Sequence, residues 1–176
     1  GSYSAAGVVQ KSGYVSFVDG TKANQTPAGT FGATDKTYTI TYEAVPATAG
    51  EVANEPTVTA ALAAVNAATT ETDYKAALAA YNTAVSDAQT ARDNAETAAK
   101  AVDSSGFSTV TEVSDAKTNL NNVLAQAAAG QATTQQVIDA TTVLQTAISD
   151  AQAALDAAKA KAKTDIQANI DDINTQ

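Results

Sequence analysis

The stretch ETDYKAALAAYNTAVSDAQTARDNAETAAKAV, residues 71–102, decides the fold. It opens on Thr70-Glu71-Thr72-Asp73, which reads as a capping box. It then carries Tyr74, Leu78, Tyr81, Val85, Ala88, Arg92, Ala95, Ala99 and Val102 at alternating three- and four-residue steps. That spacing puts every one of them on a single helix face. Alanine, the strongest helix former, fills most of the remaining positions. The segment is therefore a long helix with one buried stripe. Arg92 lies within that stripe; it could mark a binding cleft, but an arginine beside Ala88 and Ala95 reads more readily as a stem covered by its neighbours with its head in water.

Downstream the same grammar repeats. Gly106 breaks the first helix, and Thr109-Val110-Thr111-Glu112 reads as a capping box for a helix buried through Val113, Ala116, Leu120, Val123 and Leu124. Gly130 is placed to end that helix, and Thr133-Thr134-Gln135-Gln136 to start the last one. The last stripe runs through Val137, Thr141, Leu144, Ile148, Ala151, Leu155, Ala158 and Ala162, then Ile166, Ile170 and Ile173. At 1.5 Å per residue this helix reaches about 60 Å, longer than any partner. Its far end is expected to stay exposed or to pack on a neighbour.

Upstream, Glu55-Pro56 opens a short helix to about Ala68, buried through Val58, Leu62 and Val65, with proline at the first-turn position it favours. Before that point the composition changes. All three prolines, seven of the nine glycines and six of the nine aromatics lie in residues 1–56, whereas alanine makes up roughly a quarter of residues 57–176. Residues 13–20, Gly13 to Gly20, read as a strand ending in an Asp19-Gly20 hairpin turn. Thr30-Phe31-Gly32 reads as a short strand or turn, and Val8-Val9-Gln10 as a further short strand. In residues 36–43 Tyr38, Ile40 and Tyr42 alternate with Thr37, Thr39 and Thr41, which predicts an inward aromatic face and an outward threonine face. Val15, Phe17, Phe31, Tyr38, Ile40 and Tyr42 are nearly the whole apolar supply of this half. So small a core does not order a sheet alone, and the sheet is expected to lean on the helices.

The fold class is thus α+β: a small N-terminal β-rich domain over residues 1–55, then an elongated antiparallel Ala-rich bundle of three or four helices over residues 56–176. The elongated particle should have a radius of gyration above the compact-globule value of about 16 Å.

Composition narrows the chemistry. The 176 residues contain no Cys, His, Met or Trp. That removes thiolate and imidazole catalysis, Ser-His-Asp triads and Cys/His zinc sites. Neither enzyme activity nor a metal or cofactor is expected. The net charge of −9 disfavours phosphate backbones and anionic lipids, so neither nucleic acid nor membrane insertion is expected. The acidic, cysteine-free composition suits an extracellular protein that does without disulfides. Gly1-Ser2 matches the pair left by tag removal, so the chain reads as a segment of a longer protein.

Asp171 and Asp172 point about 100° apart on a helix and do not form a glycosidase pair. Lys11, Lys22 or Lys36 with Asn24 or Asn54 and Glu43 would suit an intramolecular isopeptide bond, provided the lysine is buried. The aromatic residues Tyr14, Tyr38 and Tyr42 could stack on sugars, although the Tyr38/Tyr42 spacing is that of a core face. Tyr14, with Thr39 and Thr41 of the outward face, are the candidate ligand contacts.

Phe107-Ser108-Thr109, followed by Val113/Ala116/Leu120/Leu124 and by Ala132-Thr133, Val137, Ala140, Leu144 and Ala147-Ile148, resembles the FIVAR helical modules of Gram-positive surface proteins over roughly a third of the chain. It departs from them at Gln136 and Ala151. The stretch VSFVDGTKANQTPAGTFGATDKTYTITYEA is similar to the β-grasp-like repeats of lactobacillus mucus-binding (MucBP-type) proteins. Together these resemblances imply a secreted, wall-associated stalk or adhesion module without catalytic residues. Its partners would be a host or matrix glycoprotein or a polysaccharide, and neighbouring modules of the same chain, the segment itself being a monomer. The alternative is an accessory polysaccharide-binding or spacer domain of a secreted carbohydrate-active enzyme.

Overall fold

In the computed structural model, which describes residues 1–32 and 34–176, the chain forms strands β1 (Ser2–Tyr3), β2 (Tyr14–Val18), β3 (Thr21–Lys22), β4 (Gly29–Thr30) and β5 (Ile40–Ala44). Helices α1 (Pro56–Ala67), α2 (Glu71–Lys100), α3 (Thr111–Ala128) and α4 (Thr134–Thr175) come after them. This is the expected α+β order of small antiparallel sheets before long helices. Asp19 and Gly20 both take positive φ, 49° and 77°, between the paired residues Val18 and Thr21. That is the two-residue hairpin turn read from the Asp-Gly pair, whose twist matches the flanking strands. Val8 is buried but not in a strand.

The strands make a three-stranded antiparallel sheet in the order β3-β2-β5 and a separate β1-β4 pair. Register reverses the expected faces. Phe17 pairs with Thr41 and Val15 with Glu43, while Ser16 pairs with Tyr42 and Val18 with Ile40. Directly opposed residues of an antiparallel pair share a face. Thr41 and Glu43 therefore lie on the side of the fully buried Phe17, and Ile40, 41% exposed, lies on the other. The polar side chains are accommodated on the core side because α2 meets them with matching groups. Thr41 Oγ1 donates to Glu71 Oε2 at 2.8 Å, and Lys75 bridges Glu43 and Glu71 at 3.1 and 3.3 Å. Thr41 is the first cause of the lowered Glu71 pKa, and the hydrogen bonds to Glu43 and Glu71 hold Lys75 above its usual value.

The chain divides into two compact units, Gly1–Thr90 and Ala91–Gln176. Within the first unit the sheet shares one core with α1 and the first part of α2. Phe17 meets Tyr74 edge-on at 5.5 Å between ring centroids. The hydroxyls of Tyr74 and Tyr81 donate to the carbonyls of Ala44 and Ala47 at 2.9 and 2.6 Å. The sheet leans on the helices, as its small apolar supply requires. Val52, Val58, Val65 and Ala88 complete this core. Leu62 sits off the buried Val58/Ala61/Val65 line and is 36% exposed, unlike the stripe read from sequence.

The second unit packs the end of α2, α3 and the start of α4 around Val113, Leu120, Val137 and Leu144. Gly130, at φ 69°, ends α3 with its N–H on the Ala127 carbonyl, while the Gln131 N–H reaches Gln126. Thr133 and Gln136 cap α4 reciprocally as a capping box. At α3 the expected box is not used: Val110 is the N-cap and no side chain caps it. Arg92 is not solvated at its head. Only 2% exposed, it donates Nη1 to the Ala127 carbonyl at 2.8 Å and Nη2 to the Ala132 carbonyl at 2.7 Å. One guanidinium thus binds both sides of the α3–α4 turn.

Candidate functional site: an aromatic cleft in the first unit

The three residues singled out by sequence do not converge. Tyr14 is 51% exposed and shares a sheet face with Ser16 and Val18, whereas Thr41 lies on the opposite face, bound to Glu71. Thr39 lies just before β5. Its N–H donates to Asp19 Oδ1, and its carbonyl accepts the Asp19 N–H, both at 2.8 Å. The Thr41 side chain serves the fold, Thr39 does so through its backbone, and the side chains of Thr39 and Tyr14 are exposed on separate elements. Lys11, Lys22 and Lys36 are exposed, their ammonium groups lying 4.2, 5.6 and 5.9 Å from the ring centroids of Tyr42, Tyr74 and Tyr38. The buried lysine that an isopeptide bond needs is not among these three.

Aromatic groups converge elsewhere. The pairing of β1 with β4 sets Tyr3 against Gly29. A Cβ at Gly29 would collide with the Tyr3 hydroxyl, so this close approach needs glycine. With Tyr3 so placed, its ring meets Phe31 at 5.6 Å with a 56° tilt, and its hydroxyl lies 2.9 Å from that of Tyr38. Phe31 is 69% exposed; it is a surface ring here and not the core residue that its hydrophobicity predicts. Tyr3, Phe31 and Tyr38, with Thr30, Thr34, Asp35 and Lys36, line a cleft of about 360 Å³. The shared hydrogen bond with Tyr3, then desolvation and the nearby Tyr3 and Asp19, push the Tyr38 pKa up to about 12. The Tyr38 phenol therefore stays protonated and neutral at physiological pH.

Chemically the cleft offers three ring surfaces, hydroxyl groups that donate or accept, one carboxylate and one ammonium group. Apolar walls with a few convergent polar groups are the usual make-up of a small-ligand site. Among the described lining residues the titratable side chains are Asp35, Lys36 and the phenols of Tyr3 and Tyr38. Sequence reasoning missed it because Tyr3 lies in no periodic segment and 35 residues separate it from Tyr38. The available signal was Gly29 beside Thr30-Phe31, a small residue next to an aromatic.

Among the described residues no helix is long and apolar enough to cross a membrane. Comparison with family models, with curated proteins and with solved structures finds no match.

Proposed function

We propose that this chain is a non-enzymatic structural and adhesive module of a secreted, wall-associated Gram-positive surface protein. In this reading the first unit contacts a neutral glycan through the Tyr3/Phe31/Tyr38 cleft, and the helical second unit is a stalk or spacer. The observation that carries it is the cleft itself: three aromatic rings, one of them largely exposed, gathered beside hydrogen-bonding side chains on one small unit. The exposed Phe31 ring, set beside Tyr3, offers apolar surface next to polar groups, as ligand sites do. A pyranose has an apolar face to lay on a ring and hydroxyls to meet Asp35, Lys36 and the threonines. The net charge of −9 favours neutral over anionic polymers.

Retention of the labelled chain on immobilised neutral polysaccharides and on mucin-type glycoprotein tests the proposal. Phe31→Ala and Tyr38→Ala should each weaken retention about tenfold, the worth of one aromatic contact. Tyr14→Ala should leave it unchanged. Equal retention of all four proteins, each verified as folded, overturns the proposal.

A further inference from the structure

The exposed half of α4 carries an interaction surface independent of the cleft. Helix α3 has 18 residues and α4 has 42, so an antiparallel α3–α4 pair leaves 42 − 18 = 24 residues of α4 beyond the reach of α3. Residues 152–176 are all exposed. Yet the apolar pattern does not stop where α3 stops. At 100° per residue, Leu155, Ala158, Ala162, Ile166, Ile170 and Ile173 occupy an arc of about 120°, interrupted by Lys159 and Asn169, which the register below sets opposite each other. The same arc contains Val137, Leu144 and Ile148, which α4 uses to pack within the second unit. One face is thus continuous along the helix, buried over its first half and open over its second. Leu155, Ile166, Ile170 and Ile173 are 42%, 59%, 46% and 71% exposed.

We infer that this open face is the contact surface for a second copy of the chain, the two α4 ends pairing antiparallel about Thr164. The sequence of the face is complementary to its own reverse. In that register Ala158 lies opposite Ile170 of the second copy, Ala162 opposite Ile166 and Leu155 opposite Ile173. By two-fold symmetry each pair occurs twice. Small against large at the four inner layers lets helices approach and interdigitate. Charge selects the same direction. Residues 155–164 hold three lysines and one aspartate, 3 − 1 = +2, and residues 165–176 hold three aspartates and no basic side chain, −3. Antiparallel pairing lays each positive half on a negative one, at helix separations of about 8–10 Å, within a Debye length or so at physiological salt. Parallel pairing would lay like on like. The contact spans only about 27 Å of helix, from Leu155 to Ile173. The association is therefore weak, roughly micromolar or weaker. It replaces the monomer expected from sequence with a reversible dimer.

Sedimentation equilibrium of the full chain tests this. The mean mass should rise from 17.7 kDa toward twice that value between low-micromolar and sub-millimolar protein. The double variant Ile166→Asp/Ile170→Asp should stay at 17.7 kDa throughout, with helicity largely kept because both side chains are exposed in the monomer. Direction is read from the cysteine-free background. Oxidation of a mixture of Leu155→Cys and Ile173→Cys chains should give mainly the mixed disulfide, since antiparallel pairing sets like positions about 27 Å apart. A wild-type mass of 17.7 kDa at every concentration overturns the proposal, as does a predominance of the two like-with-like disulfides.

Discussion

Replacing Arg92 by leucine keeps an apolar stem in the α2 stripe and removes the two donors that bind the α3–α4 turn. Both bonds are short, 2.8 Å to Ala127 and 2.7 Å to Ala132, and both come from an ionised group that is 2% exposed. Hydrogen bonds involving a charged group contribute about 1.5–3 kcal/mol each. Two offsets apply. The Ala127 carbonyl also accepts the Gly130 N–H at 2.9 Å, and the variant no longer holds a charge out of water. The expected loss is therefore near the lower sum, about 3 kcal/mol. At a urea slope of about 1–1.5 kcal/mol/M for a unit of this size, the midpoint should fall by about 2–3 M. Amide exchange of Val137, Ala140 and Leu144 reads the second unit directly. Arg92→Lys should recover only part of the loss, since one ammonium group lacks the fork that spans two carbonyls. A leucine variant whose exchange and midpoint match the wild type within about 0.5 kcal/mol would refute the assignment of Arg92 as the tie across this turn.

Further outcomes concern the first unit, which holds all six tyrosines and so reports separately in tyrosine absorbance and fluorescence. Tyr38 should ionise near pH 12, against an ordinary value of 10.0. Because its folded pKa is raised, its stabilisation is complete below pH 10 and is lost as pH rises from 10 to 12; Tyr3→Phe should bring the ionisation back toward 10. Glu71 behaves with the opposite sign. Its pKa is lowered from 4.5, chiefly by the Thr41 hydroxyl, so its contribution is present above pH 4.5 and fades below it. Thr41→Val should cost about 1 kcal/mol, raise the Glu71 pKa in a carboxyl NMR titration, and so flatten the acid dependence. A fragment ending at Pro56 should lack a cooperative melt, because Tyr74, Tyr81, Val58 and Val65 supply much of the core around Phe17; a dispersed NMR spectrum from that fragment would contradict the shared core.

The helical elements were legible because each is fixed by local chemistry. Pro56, Gly130 and the Thr133/Gln136 box mark ends that the backbone respects, and the Tyr74–Ala99 spacing survives intact as the buried line of α2. The features that escaped depend on partners distant in sequence. The faces of β5 reversed because pairing with β2 sets Thr41 beside Phe17, and the groups that satisfy Thr41 and Glu43 lie on α2. The role of Arg92 was hidden because the carbonyls it binds belong to a turn 35 and 40 residues away. The share of α2 in the first core was hidden for the same reason, since Tyr74 and Tyr81 bind the carbonyls of Ala44 and Ala47 although they stand in the Ala-rich half. Of the candidate site, Tyr38 was named as an aromatic able to stack on sugars, but Tyr3 and Phe31 were not placed beside it. Only the β1–β4 pairing brings them there.

Chemical-shift mapping of the full chain against neutral oligosaccharides tests the central proposal most directly. Titration should move the ring and backbone resonances of Tyr3, Phe31 and Tyr38 together with those of Lys36 and Thr34, saturably and with one affinity. Resonances of Tyr14 and of Val113–Leu144 in the second unit should stay fixed. Shifts that centre on Tyr14 or on the helices, or an unchanged spectrum across a panel of neutral glycans at millimolar concentration, would contradict a glycan-contacting module.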